Sequence, residues 1–406
     1  MLSIFVDDRV MLMKDRILGL PRNVFFLGLT SFFNDFSSEM VASIFPAFFI
    51  SVLKTGAESL GLVEGVADAA SNLIKIYSGR WSDRIERRKV FAVAGYTLSV
   101  FTRPFYVLAG SLGLVIGLRV TDRIGKGLRD SPRDALISLS TPKEEIGRSF
   151  GYHRAMDTLG AIVGPLVAYV ILSYNPLAFN SVFIIAFVIG LLAVASLWLV
   201  QDMRQTLQVR QIEAFEGFPR RVYRYFISIF ILSIGTLPMA VLLLKTRDLG
   251  ITIASIPLFY AISNISYALF SWPAGRAADA WGTGKIIVIG YGFLMLGYFV
   301  LVASLSPAVL TLGFLLVGIF SAFTDGVQRS HLSHLVEDRY KGTAYGYLNA
   351  AVGFGALVAG IAGGYVWQQL SDTTALITEA GVIALGLGVF LYGSMCSETE
   401  VIERCY

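Results

Sequence analysis

The sequence predicts an all-α integral membrane protein with twelve transmembrane helices in two six-helix, pseudo-symmetric bundles. Three observations carry this reading. The composition leaves too little charge for a soluble surface, apolar runs of membrane-crossing length follow one another along the chain, and short motifs recur at an offset near half its length. Of the 406 residues, 55% are hydrophobic and 15% charged, and the mean hydropathy is +0.66. A soluble domain carries about 25% charged residues. The same figures exclude a disordered or collagen-like chain. Cys396 and Cys405, both in the C-terminal tail, supply no disulfide framework.

A membrane-crossing helix needs roughly 20 mostly apolar residues. In order, the runs are 23–52, 58–79, 90–110, 112–136, 148–174, 179–200, 223–245, 252–273, 285–305, 307–331, 343–369 and 374–396. The first six make a bundle within 1–200, the polar stretch 201–221 reads as a cytoplasmic linker, and the last six make a bundle within 222–406. Basic residues orient the spans. Arg80, Arg84, Arg87, Arg88 and Lys89 follow span 2, whereas the opposite loops hold only Lys54, Lys245 and Arg247. Both termini are therefore expected in the cytoplasm, in a multi-pass protein of the inner (plasma) membrane. Asp7 and Asp8 precede Lys14 and Arg16, and no small-residue cleavage site follows a short apolar run, so no removable signal peptide is expected. The inside bias accounts for the net charge of +4, so nucleic acid is not an expected partner.

The halves repeat one another. Gly79-Arg80-Trp81-Ser82-Asp83 after span 2 is answered by Gly275-Arg276-Ala277-Ala278-Asp279 after span 8, an offset of 196. Phe150-Gly151-Tyr152 recurs as Tyr345-Gly346-Tyr347 at an offset of 195, and Gly160 then falls on Gly355. Parallel halves with a site between them at mid-membrane are the build of many secondary transporters.

On these residues the chain resembles the major facilitator superfamily over essentially its whole length. The loop signature Gly-x-x-x-Asp-Arg/Lys-x-Gly-Arg-Arg/Lys is matched by Gly79, Asp83, Arg84, Arg87 and Arg88, with Glu86 at the usual glycine. Arg123-x-x-Lys126-Gly127 is similar to the family's Arg-x-x-Gln-Gly in helix 4. In span 5, Gly151, Gly160, Gly164 and Pro165 fit the antiporter signature, with Ala168 at its last glycine. The resemblance implies a transporter that alternates between inward-facing and outward-facing states, and the antiporter signature implies export.

Intramembrane charge is costly and points to function. Span 1 carries Asn34, Asp35, Ser38 and Glu39, and span 2 carries Glu64, Asp68, Ser71, Asn72 and Lys75 on one helical face. Span 4 holds five cations and three anions between Arg119 and Asp134 on an arc that leaves Val120, Ile124 and Leu128 opposite. Span 5 adds His153, Arg154 and Asp157, and span 10 adds Asp325, Arg329, His331 and His334. Desolvation raises a carboxyl's proton affinity and a neighbouring cation lowers it. A carboxyl alternately dry and cation-paired therefore takes up and releases protons. Asp35, Glu39, Glu64, Asp68, Asp122 and Asp157 are the expected proton carriers, Asp35 and Asp68 foremost. The competing reading is permanent structural pairing, for instance Asp68 with Lys75 or Asp157 with Arg154.

Asn34, Asn72, Arg103, Arg119, Arg123, Tyr260 and Tyr267 are expected to line the substrate cavity. Coupling is expected in the N-terminal half, against an apolar wall in the C-terminal half that includes Phe259, Tyr260, Tyr267, Phe270 and Trp272. Gly79, Asp83, Arg84, Gly275, Asp279, Asp325 and Arg329 are expected to act as a conformational latch. Asp83 would face the positive N-terminus of helix 11 near Gly342, and Asp279 that of helix 5 near Gly147, when the cytoplasmic side closes. In span 5, Gly160 and Gly164 permit close helix approach and Pro165 bends the helix.

His331-x-x-His334 lacks companion ligands, so no metal and no cofactor are expected. No nucleophile arrangement marks an enzyme. The expectation is proton-coupled export of a small organic compound (a drug, metabolite or siderophore-like molecule) by a monomer in the lipid bilayer. The alternative is a proton-coupled symporter importing an anionic solute, and a non-transporting sensor or intramembrane enzyme is the rival of a different class.

Overall fold

The computed structural model describes residues 16–85, 87–142, 145–203, 217–337 and 340–403, with the side chains of Arg80, Asp83 and 394–403 outside that description. Twelve helical spans follow in order. They are α1 (Arg22–Leu53), α2 (Ala57–Ile85), α3 (Arg88–Thr102), α4 (Leu112–Leu139), α5 (Ile146–Tyr174) and α6 (Phe179–Trp198). The second set is α7 (Arg220–Leu249), α8 (Ile253–Trp281), α9 (Thr283–Val302), α10 (Pro307–Leu335), α11 (Lys341–Gln369) and α12 (Asp372–Glu403). All twelve expected spans are helical. Residues 204–216 of the expected linker lie outside the described residues.

Helix ends depart from the expected bounds toward the side that carries the basic loops. α2 runs past 79 to Ile85 and α8 past 273 to Trp281. Apolarity registers only the stretch inside hydrocarbon, while helical hydrogen bonding continues beyond it. Among the described residues nine helices are long and apolar enough to cross a membrane, and that set omits α2, α3 and α4. α2 and α4 carry the charged stripes, and α3 is short because it passes at Arg103–Leu108 into a tighter helix opened by Pro104.

Several spans expected to be continuous are irregular, α7 and α11 among them. α7 is helical over Arg220–Ile234, turns at Gly235 and resumes at Met239 after Pro238. Proline has no N–H to give to the carbonyl four residues back, and its ring clashes there. α11 widens over Ala359–Gly363 into a π-helical turn.

The pairing of helices repeats six helices on. α1 packs against α5 and α6, and α4 against α2 and α3, while α7 packs against α11 and α12, and α10 against α8 and α9. Gly160 lies against Phe32 and Phe36 of α1, where an added methyl would sit 2.8 Å from the Phe36 nitrogen. Its repeat partner Gly355 lies against Phe230 and Ser233 of α7, where a methyl would sit 2.9 Å from the Phe230 carbonyl oxygen. The same small-residue docking therefore fixes both bundles. Gly164 continues the first contact, with Pro165 and Ala168 buried beside it, but Gly151 faces open space.

The bundles meet through α2 against α11 and α5 against α8. On the side away from the basic loops this contact is tight. Gly61 and Gly360 each face the other's carbonyl oxygen, leaving no room for a side chain on either. The Ala57 N–H donates to Gln368 (3.0 Å), and Asn264 donates to the Ala161 carbonyl (2.8 Å). Toward the basic loops the bundles diverge around a cavity of about 730 Å³.

Candidate functional site

The charges on α4 meet partners on α2, because the two helices lie side by side. Arg119 donates twice to Glu64, at 2.9 Å from Nε and 2.9 Å from Nη2, and its guanidinium stacks 4.7 Å over Phe45. Asp122 stands 3.5 Å from Arg119, and Arg123 bridges Glu64 (3.8 Å) and Asp68 (3.4 Å). Nearer the basic side Lys75 pairs with Asp130 at 3.1 Å, and Asp130 also faces Arg133 at 3.7 Å. Arg129 stacks 4.5 Å over Tyr96 and donates to Ser99 at 2.9 Å.

The expected alternative of Asp68 with Lys75 does not form. Two turns along one helix separate residues by about 10 Å, farther than a cation on the adjacent helix. Glu64, Arg119 and Asp122 are buried, whereas the Asp68 side chain is 40% exposed. The network is thus dry at Glu64, Arg119 and Asp122 and open to solvent at Asp68.

A second cluster joins α1 to α5. Asp35 accepts from Asn34 (2.9 Å) and lies in hydrogen-bond contact with Asp157, with Glu39 also nearby. Asp157 accepts from Ser31 (2.6 Å) and stands 3.4 Å from Arg154. Arg154 crosses to the second bundle, 3.0 Å from Asp325 and 5.1 Å over the Tyr267 ring, and Tyr267 donates to the same carboxylate at 3.0 Å. Tyr260 donates to Glu39 at 2.5 Å, a second link between the bundles.

Asp35, Lys75, Lys126, Arg133, Asp157, Asp325 and Arg329 line the cavity, with Tyr345 and Asn349 of α11 opposite α4. Lys126 and Arg329 make no ion pair among the described residues. Among the described residues the cavity therefore offers two cations outside ion pairs beside a paired carboxyl cluster.

Other expected site residues stand elsewhere. Arg103 is 2% exposed and donates to Asn34 at 3.3 Å, so both are inside the first bundle and off the cavity wall. The switch to a tighter helix at Pro104 turns Arg103 toward α1 and α6, where it lies on Gly190. Asn72 sits in the α2–α11 contact against Gly353. Of the aromatic wall, Tyr260 and Tyr267 face the first bundle. Phe259 packs on Phe314 in the second bundle's core, and Trp272 is 69% exposed. Phe270 is exposed as well. Helical spacing gives a residue's angle around its own axis and not which neighbour that angle meets.

In the latch set, Gly79 approaches Ser131, Arg84 and Asp279 are exposed, and positions 147, 275 and 342 face open space. The Asp83 side chain lies outside the described residues. Two further buried charged groups stand outside the expected site. Lys245 contacts Asp372 at the outer end, and Glu379 is buried in α12. A single acid within an apolar run was the available signal.

Outside the membrane, Arg16 donates to Glu145 at 2.8 Å, and that hydrogen bond holds the carboxyl below its usual range.

The sequence profile described as Major Facilitator Superfamily matches residues 27–234 and 225–400. An uncharacterized MFS-type transporter of Methanocaldococcus jannaschii is 34% identical over 384 residues, covering 91% of this chain and 94% of that one. The multidrug resistance protein MdtH of Cronobacter sakazakii is 24% identical over 364 residues, covering 84% and 86%. Among solved structures, the nucleoside transporter NupG matches with a TM-score of 0.75 at 16% identity, covering 91% of this chain and 98% of that chain.

Proposed function

Because this chain belongs to the Major Facilitator Superfamily and is a multi-pass membrane transporter, we propose that it exports a small organic compound in exchange for protons by alternating access. The observation that carries this reading is the Asp35–Asp157 carboxyl pair at the wall of a cavity on the basic-loop side of the tight Gly61–Gly360 contact. When protonated, either carboxyl donates to the other. Arg154, bridging from Asp157 to Asp325, ties that state to the spacing of the bundles. Glu39, Glu64, Asp68 and Asp122 extend the coupling path along α1, α2 and α4. The multidrug resistance name of one relative and the Gly160-Gly164-Pro165 signature support export.

The basic loops, by the positive-inside rule, make the open side cytoplasmic and the described conformation inward-facing. The protein then works as a monomer in the inner membrane with both termini in the cytoplasm. The divided bundles 1–200 and 222–406 move about the linker. Gly79, Asp83, Arg84, Gly275 and Asp279 latch the cytoplasmic side when it closes.

Lys126 and Arg329, which make no ion pair among the described residues, favour the second reading, symport of an anionic solute. Proteoliposomes containing a trapped pH-sensitive dye, challenged with a panel of organic cations and anions, separate the two. Proton movement opposite to a transported compound supports exchange. Movement in the same direction overturns it in favour of symport. Transport with no proton movement overturns both.

A further inference from the structure

The coupling carboxyls above belong to the first bundle, but the second bundle holds one that they do not use. Glu379 of α12 is 5% exposed, and its Oε2 has no hydrogen-bond partner. It lies two turns inward from Asp372, about 10 Å along the helix. α12 packs on α7, α9 and the end of α11, and two irregular backbone segments converge on this carboxyl. A methyl on Gly363, at the end of the α11 π-turn, would lie 2.7 Å from Glu379 Oε1 and against the Leu237 side chain in the α7 break.

Among the described residues, no cation pairs with the carboxyl. Tyr298 is the titratable group facing it from α9, and its hydroxyl is committed to the break, donating to the Gly235 carbonyl (3.1 Å) and accepting from the Leu237 N–H (3.0 Å). On the outer part of α7, Lys245 is taken by Asp372 and Asp248, and Arg247 is exposed. On α12 itself Asp372 is engaged with Lys245. A dry carboxylate with no counter-charge is strongly disfavoured, and broken helices at membrane depth are where transporters bind coupling ions.

The two segments also form the closure on the side away from the basic loops. Beyond the break, Met239–Leu242 contacts α1 and α2, and the π-turn packs on α2 where Gly360 meets Gly61. Glu379 stands behind both. We propose that Glu379 is a proton-binding site of the second bundle, and that its occupancy governs this outer closure. Neutral, the carboxyl fits between Leu237 and Gly363. Ionised, it draws water into the break and favours separation of α7 and α11 from the first bundle. This rests on alternation between two open sides, and not on the direction of transport or on Asp35.

Two measurements on the full chain in lipid vesicles test it. In infrared spectra at neutral pH, the C=O stretch of a protonated carboxyl should be lost in Glu379→Gln and displaced in Glu379→Asp. In the second, spin labels at Lys54→Cys and Leu370→Cys, with Cys396 and Cys405 replaced by serine, report the outer distance. It should lengthen as pH rises in the parent, stay short at every pH in Glu379→Gln, and regain a pH response in Glu379→Asp. An unchanged infrared band, a native pH response in Glu379→Gln, or opening that follows sodium at fixed pH would each overturn the proposal. Failure of the outer side to open under any condition refutes alternation instead, and the infrared band still decides the proton.

Discussion

Arg119 and Glu64 are joined across α4 and α2 by two parallel hydrogen bonds of 2.9 Å, with both side chains buried and the guanidinium stacked on Phe45. Two charges inside a membrane bundle are tolerated here because each is the other's solvent. Breaking such a pair from one side leaves an uncompensated charge, which costs about 3–5 kcal/mol. Asp122, 3.5 Å from Arg119, offsets part of that loss. Glu64→Gln should therefore destabilise the protein by about 3 kcal/mol, the lower end of that range. The double replacement Glu64→Gln with Arg119→Met should recover only part of it, because it leaves buried Asp122 without its cation. Thermal unfolding in detergent measures both, and equal destabilisation by the single and double variants would show that the pairing is not the source.

The glycines of α5 provide an internal contrast. A methyl on Gly164 would lie 3.0 Å from the Met40 nitrogen, whereas one on Gly151 would meet nothing within 4 Å. Overpacking of this kind costs roughly 1–3 kcal/mol. Gly164→Ala should lower the unfolding temperature and Gly151→Ala should leave it unchanged. Equal effects would mean that the α1–α5 contact is not limiting.

Asp35 and Asp157 are in hydrogen-bond contact, and Asn at either position keeps the shape while removing the titratable oxygen. Asp35→Asn is expected to abolish proton-driven net transport yet retain exchange of labelled for unlabelled substrate across the same vesicles. Net transport at the parent rate would remove Asp35 from coupling.

The Arg154–Asp325 pair joins the two bundles, but each side chain is 51% exposed. Exposed pairs contribute about 0–1 kcal/mol, so Asp325→Asn should barely alter the unfolding temperature. Its effect belongs to the balance between conformations. Accessibility of a cysteine at Asn349, in the cavity wall, should change in Asp325→Asn without loss of stability. A large drop in unfolding temperature with unchanged accessibility would make the pair merely structural.

Glu145 offers a pH test outside the membrane. Its proton affinity is lowered in the folded state by the Arg16 hydrogen bond. The contribution is therefore present above the unfolded carboxyl's pKa of about 4.3 and is lost as pH falls through the lower folded value. Arg16–Ile17 pairs antiparallel with Leu20–Pro21, and hydrogen exchange of this short hairpin should rise in that acidic window in the parent. In Arg16→Ala it should already be elevated at neutral pH, and a parent-like profile in that variant would exclude the contact as the anchor.

Composition, apolar run length and the motif offset are local quantities, and they were enough for twelve spans, their two sets and the repeat. The docking of Gly160 on α1 and of Gly355 on α7 follows the offset read from the chain. Most of the acidic and basic groups that line the cavity were also visible, since any charge in an apolar run needs a partner, water or a ligand. Asp35, Asp157, Asp325 and Arg329 stand out in this way.

Partnership was another matter. Spacing along α2 left Asp68 with Lys75 as an option, but the adjacent α4 presents Arg123 to one and Asp130 to the other. Arg103 and Asn34 face into their own bundle because a proline tightens α3 at Pro104. Glu379 gains its meaning only from the break at Gly235–Pro238, far from it in the chain, and from the π-turn that ends at Gly363 on the preceding helix. Helical periodicity sets the angle of each side chain around one axis. The choice among neighbours at that angle depends on how twelve axes cross, and that is decided by close packing among segments hundreds of residues apart.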